Sequence, residues 1–194
     1  MVNDAYRAAR LPLVVDFDGT LCRTDTLAWL RERCGAHSPA AEAERLAQLS
    51  ISKQAEKIYL WREFGMHPNQ IPFDTEVLAW AQARSEDGRE LFLATGSAHD
   101  LAWVVSEHLG LFAGAWGSTL DVNLTGSSKA AMLVAEFGTG GFDYVGDSSA
   151  DLPLWAAARQ GYCVTRGQDL GFELPATVIT IPSRLGLLRC PVAQ

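Results

Sequence analysis

The sequence predicts an α/β protein: a parallel sheet covered by helices on both faces, with a small helical insertion after the first strand. Three observations carry this. From Asp74 onward, short apolar runs alternate with segments of helical period, the order that builds strand–helix–strand units. Residues 26–72 contain no convincing strand and far exceed the roughly two to six residues of an ordinary strand-to-helix connection. The polar clusters all fall at the carboxyl ends of strands, where open α/β sheets bind ligands.

Taken in order, Leu13-Val14-Val15 is a short buried strand running into Asp16-Phe17-Asp18-Gly19-Thr20-Leu21. Side chains alternate along a strand, so Asp16 and Asp18 point the same way if the strand continues. Gly19 allows a sharp turn away from it. Thr24, Asp25 and Thr26 offer caps for a helix over 27–33 that ends near Gly35. Pro39 opens a second helical pattern through Gln48, and a third covers 52–64, closed by Gly65 and Pro68. Asp74 caps a helix with Val77, Trp80 and Ala81 on its apolar side, stopping at Asp87-Gly88. A strand over 91–94 ends at Thr95-Gly96-Ser97, and a helix from Ser97 runs through His108. A weaker strand over 111–116, a helix over 129–137 and a strand over 142–145 follow, the last ending at Gly146-Asp147. A helix over 150–159, a strand over 162–165 and a final strand over 177–181 complete the pattern, before a loosely held tail. There is no internal repeat.

The bulk properties exclude several classes. A chain of 194 residues suits one α/β domain with an insertion or small lid, and 48% hydrophobic residues are ample for a core. A formal charge of −7 and a pI near 5.0 argue against a nucleic-acid binder, which shows a basic face. The first ten residues lack the apolar centre of a signal peptide, and no run approaches the length of a membrane span. A cytoplasmic location is expected. Cys22, Cys34, Cys163 and Cys190 are scattered, with no Cys-x-x-Cys pair, which reads as reduced thiols rather than zinc or a disulfide framework. His37, His67 and His108 have no partner pattern, and His99 reads as an exposed helix position one turn from Ser97.

The polar clusters carry the chemistry. Two carboxylates one residue apart, Asp16 and Asp18, repel unless a cation or proton sits between them. With a metal one can attack, while the other gives and takes a proton. Asp and Gly are also ordinary turn residues. At Thr95-Gly96-Ser97 a helix start favours an anion such as phosphate, hydroxyls add donors and Gly96 permits close approach, although Ser is a common N-cap without any ligand. Lys129 at a helix start opposes the helix dipole, so a phosphoryl group or carboxylate is expected to hold it. Asp147 lies just past a buried strand and suits magnesium, while Asp151 can cap the next helix, hold a ligating water or hold Lys129.

Together, in this order, Asp16-Phe17-Asp18-Gly19-Thr20, Thr95 or Ser97, Lys129, and Gly146-Asp147 through Asp151 resemble the four motifs of the haloacid dehalogenase-like hydrolases. The resemblance covers Leu13 to about Val164. It implies a Rossmann-like three-layer sandwich, with a core over 1–25 and 73–194 and a helical cap over 26–72. It further implies a magnesium-dependent phosphatase working through an aspartyl-phosphate. Asp16 would be the nucleophile and Asp18 the acid and base. Asp16, Asp18 (by its backbone carbonyl) and Asp147 would hold Mg2+, with Asp151 in support; Thr95, Gly96, Ser97 and Lys129 would hold the phosphoryl group. At the second motif both Thr95 and Ser97 offer the hydroxyl, and the strand end favours Thr95. A narrower likeness, carried by Thr24-Asp25-Thr26-Leu27 and Phe142-Asp143-Tyr144-Val145-Gly146-Asp147-Ser148, is to the soluble domain of some bacterial prenyltransferase fusions. It implies a functional link to a prenyltransferase; no prenyltransferase follows here, so a stand-alone relative or a fragment is expected.

The leading expectation is thus a hydrolase of small soluble phosphate esters, phosphosugars among them, with a regulatory module of the same fold or a phosphomutase as alternatives. A dehalogenase needs no metal, and Asp18 with Asp147 argues against it. Substrate choice is expected to lie in residues 26–72, whose Lys53 and Lys57, with Arg23, Arg31 and Arg62, could meet an anionic leaving group. Trp29, Tyr59 and Trp61 read mostly as packing.

Overall fold

The computed structural model describes residues 11–37, 53–65 and 67–186. Its elements are β1 (Leu13–Val15), α1 (Thr26–His37), α2 (Lys53–Phe64), α3 (Thr75–Glu86), β2 (Leu91–Ala98) and α4 (His99–Leu109). They continue with β3 (Gly114–Ser118), α5 (Gly126–Phe137), β4 (Asp143–Gly146), α6 (Leu152–Ala157), β5 (Gln160–Thr165) and β6 (Ile179–Pro182). Short 3-10 turns occupy Pro68–Gln70 and Ser149–Asp151.

The strands form one sheet in the order β3-β2-β1-β4-β5-β6, every pairing parallel. β1 lies inside it, with Val15 paired to Leu93 on one side and Val145 on the other. Only an uninterrupted apolar run suits a strand covered on both faces, and Leu13, Val14 and Val15 are fully buried. Alternation splits them: Leu13 and Val15 enter a core with Val77, Leu101 and Val105, while Val14 faces a second core with Leu133, Tyr144 and Leu154. The result is the expected three-layer, Rossmann-like α/β architecture. The chain leaves β1 toward β2 and β3, then returns to place β4 on the other side of β1, so the topological switch lies between β1 and β4.

Residues 26–72 contribute two described α-helices, α1 and α2, which pack on one another, and α2 also packs on β2. Leu27, Leu30, Ile58, Leu60 and Trp61 join the same core as β1. The helix expected over 39–48 lies outside the described residues. Trp29 and Tyr59 pack partly buried against that core.

Several boundaries differ from the sequence reading. β2 runs on to Ala98, so α4 starts at His99 rather than Ser97. Pairing with β3 wins over the helix-start preference of Ser97: Ala98 pairs with Ser118 after an irregularity, and Ser118 Oγ donates to Gly96 O at 2.9 Å. Gly117 makes this possible, because a Cβ there would lie 2.6 Å from the His99 Cα. β3 starts at Gly114 and β6 at Ile179, both later than expected, and α5 starts at Gly126, three residues before Lys129. α1 passes through Gly35 to His37, since a glycine inside a helix costs only about 1 kcal/mol.

A buried cluster fixes the turn after β1. Asp74, fully buried, caps α3 by accepting from the N–H groups of Glu76 and Val77 at 3.1 Å each. Its other oxygen accepts from Arg166 at 2.7 Å and from Ser183 Oγ at 2.8 Å. Arg166 also donates to the carbonyls of Gly19 and Thr20. The ends of β5 and β6 are thereby tied to the loop that carries the first motif.

Candidate active site

The switch point opens into a cleft of about 410 Å³ over the carboxyl ends of β1, β2 and β4. Asp16 follows β1 directly, its N–H still donating to Val145 O at 3.0 Å, so the ladder with β4 sets its direction. Lys129 Nζ, reaching in from the first turn of α5, donates to Asp16 Oδ1 at 2.8 Å. The same ammonium donates to the Tyr144 hydroxyl at 3.0 Å, which donates onward to Asp151 Oδ1 at 2.8 Å. The other Asp151 oxygen accepts from the N–H groups of Asp147 and Ser148 at 3.0 Å and from Ser148 Oγ at 3.2 Å. Asp147 Oδ1 accepts from Thr20 Oγ1 at 3.1 Å.

One oxygen from each of Asp16, Asp147 and Asp151 lies within 4.8 Å of the others. Burial raises the Asp16 carboxyl to about 6, against the opposing pull of Lys129. Burial, with the charges of Asp16 and Asp151, raises Asp147 to about 8. Burial and the neighbouring carboxylates push the Tyr144 hydroxyl well above its ordinary value, so it stays a neutral donor. Three carboxylates face one ammonium here, and such a set suits a hard divalent cation with oxygen ligands. Gly19, at φ +74°, keeps the wall open: a Cβ would stand 2.2 Å from Asp147 Oδ2.

Asp18 lines the same cleft as Asp16 but makes different contacts. Extended pairing of β1 stops at Val15, so simple alternation does not apply beyond it. Its Oδ1 accepts from the Thr26 N–H at 2.8 Å, at the start of α1, and its Oδ2 accepts from Ser97 Oγ at 2.5 Å. The Ser97 and Thr26 hydroxyls are 2.8 Å apart. Thr95 is fully buried, with its hydroxyl accepting from the Ser97 N–H at 3.0 Å. Gly96 lines the cleft between them.

The structure therefore gathers Asp16, Lys129, Asp147 and Asp151 at one point. Asp18 stands at the edge of the same cleft, and Thr95 and Ser97 act behind its wall through hydrogen bonds. Among the acidic side chains it is Asp151, rather than Asp18, that completes the cluster with Asp16 and Asp147. The sequence reading has Thr20 only as part of the first motif and Thr26 only as a helix cap, and it gives Tyr144 no role. For Tyr144 a signal existed: a phenol inside a buried strand needs a partner for its hydroxyl. His99 opens α4 and lines a separate hollow of about 220 Å³. His108 stacks on Phe73. Cys22 and Cys163 are free and buried, and burial pushes both thiols up to about 12, which leaves them unreactive.

This parallel-sheet fold is similar to that of solved haloacid dehalogenase-like hydrolases. A HAD-family hydrolase from Salmonella enterica serovar Typhi matches at TM-score 0.60 and 12% identity, over 81% of this chain and 63% of that one. A substrate-bound phosphoserine phosphatase matches at TM-score 0.56 and 13% identity, over 80% and 86%. A phospho-aspartyl intermediate analogue of phosphoserine phosphatase matches at 0.57 and 14%, over 80% and 86%. No family model matches the sequence. An uncharacterized protein of Sinorhizobium fredii, y4nM, is 34% identical over 164 residues, a match covering 84% of this chain and 31% of that protein. The chain thus spans about a third of the length of this curated relative. Among the described residues, no helix is long and apolar enough to cross a membrane.

Proposed function

We propose that the chain is a magnesium-dependent phosphomonoester hydrolase that works through an aspartyl-phosphate. The observation that carries this reading is the carboxylate set of Asp16, Asp147 and Asp151 at the switch point, with Lys129 bonded to Asp16. Asp16 and Asp147, with the Asp18 backbone carbonyl, would hold Mg2+, which offsets the clustered negative charge and polarises the phosphoryl oxygens. Asp151 supports this set by orienting the Asp147 backbone and, through Tyr144, Lys129.

In the first half-reaction an Asp16 oxygen bonds to phosphorus as the bond from phosphorus to the leaving oxygen breaks, and Asp18 protonates that oxygen. In the second, Asp18 takes a proton from water, which attacks phosphorus and frees the Asp16 carboxylate and phosphate. Lys129 and Gly96, which line the cleft, would serve the phosphoryl oxygens, while Ser97 orients Asp18 and Thr95 braces the Ser97 backbone behind the wall. The division into a core over 1–25 and 73–194 and a cap over 26–72 belongs to the same proposal, as do the cytoplasmic setting and the link to a prenyltransferase.

The test is phosphate release from a panel of phosphorylated metabolites, with Mg2+ or with chelator. Turnover is expected only with the metal, and Asp16→Asn is expected to abolish it while melting as a folded protein. Full activity in excess chelator, or substantial turnover by folded Asp16→Asn, would overturn the reading.

A further inference from the structure

The cleft has a wall that the phosphoryl chemistry does not use. α2 brings Lys53 and Lys57 to it, four residues apart and so one turn apart on one face of the helix. Other cations of this region are committed. Arg31 grips Glu56 through two bonds of 2.7 and 2.6 Å, and Arg62 reaches Asp100 at 3.2 Å. Lys129 is held by Asp16 and Tyr144.

Among the described residues, no ion pair includes Lys53 or Lys57. Lys57 Nζ donates to Gly96 O at 3.1 Å, which fixes the ammonium at the rim and leaves two of its three protons for another acceptor. Lys53 opens α2, where a cation opposes the helix dipole, so the helix itself gains nothing from it. Asp25 also lines the cleft, but its Oδ1 is occupied by the Ala28 N–H at 3.1 Å. A cleft of about 410 Å³ holds a small ligand.

We infer that Lys53 and Lys57 form an anion subsite for the leaving group. The substrate is then a small phosphomonoester bearing a second anionic group, a carboxylate or a further phosphate. The word substrate rests on the phosphatase reading; the subsite itself is readable from binding alone.

The experiment has a binding arm and a turnover arm, both in Mg2+. In the first, methylphosphonate, phosphonoacetate and methylenediphosphonate are titrated calorimetrically into the wild type, Lys53→Gln/Lys57→Gln and Lys53→Arg/Lys57→Arg. The wild type should prefer at least one doubly anionic probe by about tenfold or more, the glutamine pair should lose that preference and the arginine pair keep it. Which probe is preferred separates carboxylate from phosphate. In the second, the ratio of kcat/KM for the matching anionic ester to that for glycerol 3-phosphate should fall about tenfold in the glutamine pair. Equal wild-type affinity for all three phosphonates, or a preference that survives in a glutamine pair shown by melting to be folded, overturns the subsite. Lysine-dependent selectivity in binding with no ester hydrolysed leaves the subsite standing and removes the phosphatase reading.

Discussion

Replacing Tyr144 with Phe should damage both stability and turnover, because the lost hydroxyl links Lys129 to Asp151. Tyr144 and Asp151 are buried, and Lys129 is 3% exposed. The substitution deletes two hydrogen bonds, of 3.0 and 2.8 Å, each with a charged partner. A hydrogen bond to a charged group contributes about 1.5–3 kcal/mol, which sets the upper end near 6 kcal/mol for two. The upper end is not reached, since both partners keep other contacts. Lys129 retains Asp16, and Asp151 retains three donors from Asp147 and Ser148. A loss of about 2–4 kcal/mol is therefore expected, which for a chain of this size lowers Tm by about 5–15 °C. Lys129 also loses one of two anchors, and kcat should fall about 10- to 100-fold. Thermal melting and steady-state kinetics on one preparation check both. A Tm within about 2 °C of the wild type, with kcat within about twofold, would refute the network argument, because a merely space-filling phenol is well replaced by Phe.

Two further outcomes follow from the acidic cluster. Gly19→Ala puts a methyl 2.2 Å from Asp147 Oδ2 at φ +74°, so Tm should fall by a few degrees for about 1–2 kcal/mol of backbone strain, and the Mg2+ concentration for half-maximal activity should rise at least about tenfold. An unchanged Mg2+ midpoint would show that Asp147 is not where the metal is held. Asp16 and Asp147 are raised to about 6 and about 8 from an ordinary 3.8, so the folded metal-free protein binds protons that the unfolded chain releases. Its stability should be greatest near or below pH 4 as far as these groups decide it, and decline as pH rises through 6 and 8. Mg2+ competes with those protons, so the Tm gain from saturating Mg2+ should be larger at pH 8 than at pH 5.5; equal gains would contradict this.

How much of this the sequence shows depends on what decides each feature. β1 and its two carboxylates are legible because an uninterrupted apolar run followed by Asp, Gly and Thr has few other solutions. The contacts of Asp18 are not legible, since they turn on where sheet pairing stops: the ladder ends at Val15, and the next residues follow the turn rather than the pleat. The extent of β2 is hidden for a similar reason. Ser97 is a good helix cap by type, but pairing with β3, which Gly117 allows, carries the strand through it. That Asp151 supports Lys129 is legible as one option, but the route through Tyr144 escapes, because Tyr144 reads as one more large residue in a buried strand. Lys53 and Lys57 are visible as cations, but only the folded chain shows that Arg31 and Arg62 are spent elsewhere.

The two carboxylates of the first motif divide their work through their neighbours rather than their chemistry. Asp16 meets the ammonium of Lys129, whereas Asp18 meets the first backbone N–H of α1 and the hydroxyl of Ser97 on β2. Thr26 therefore belongs at once to the start of the insertion and to the orientation of Asp18, and its hydroxyl also meets Ser97. The second insertion helix reaches the same strand end, through Lys57 to the carbonyl of Gly96. These attachments differ in reach. Asp18 and Thr26 are eight residues apart in the chain, while Lys57 and Gly96 are thirty-nine apart. The contact that orients Asp18 is thus local to the start of α1, while the one that holds the lysine wall is made by α2. The acid and the lysine wall are held by separate contacts, so a substitution at Lys57 leaves the bonds that orient Asp18 in place.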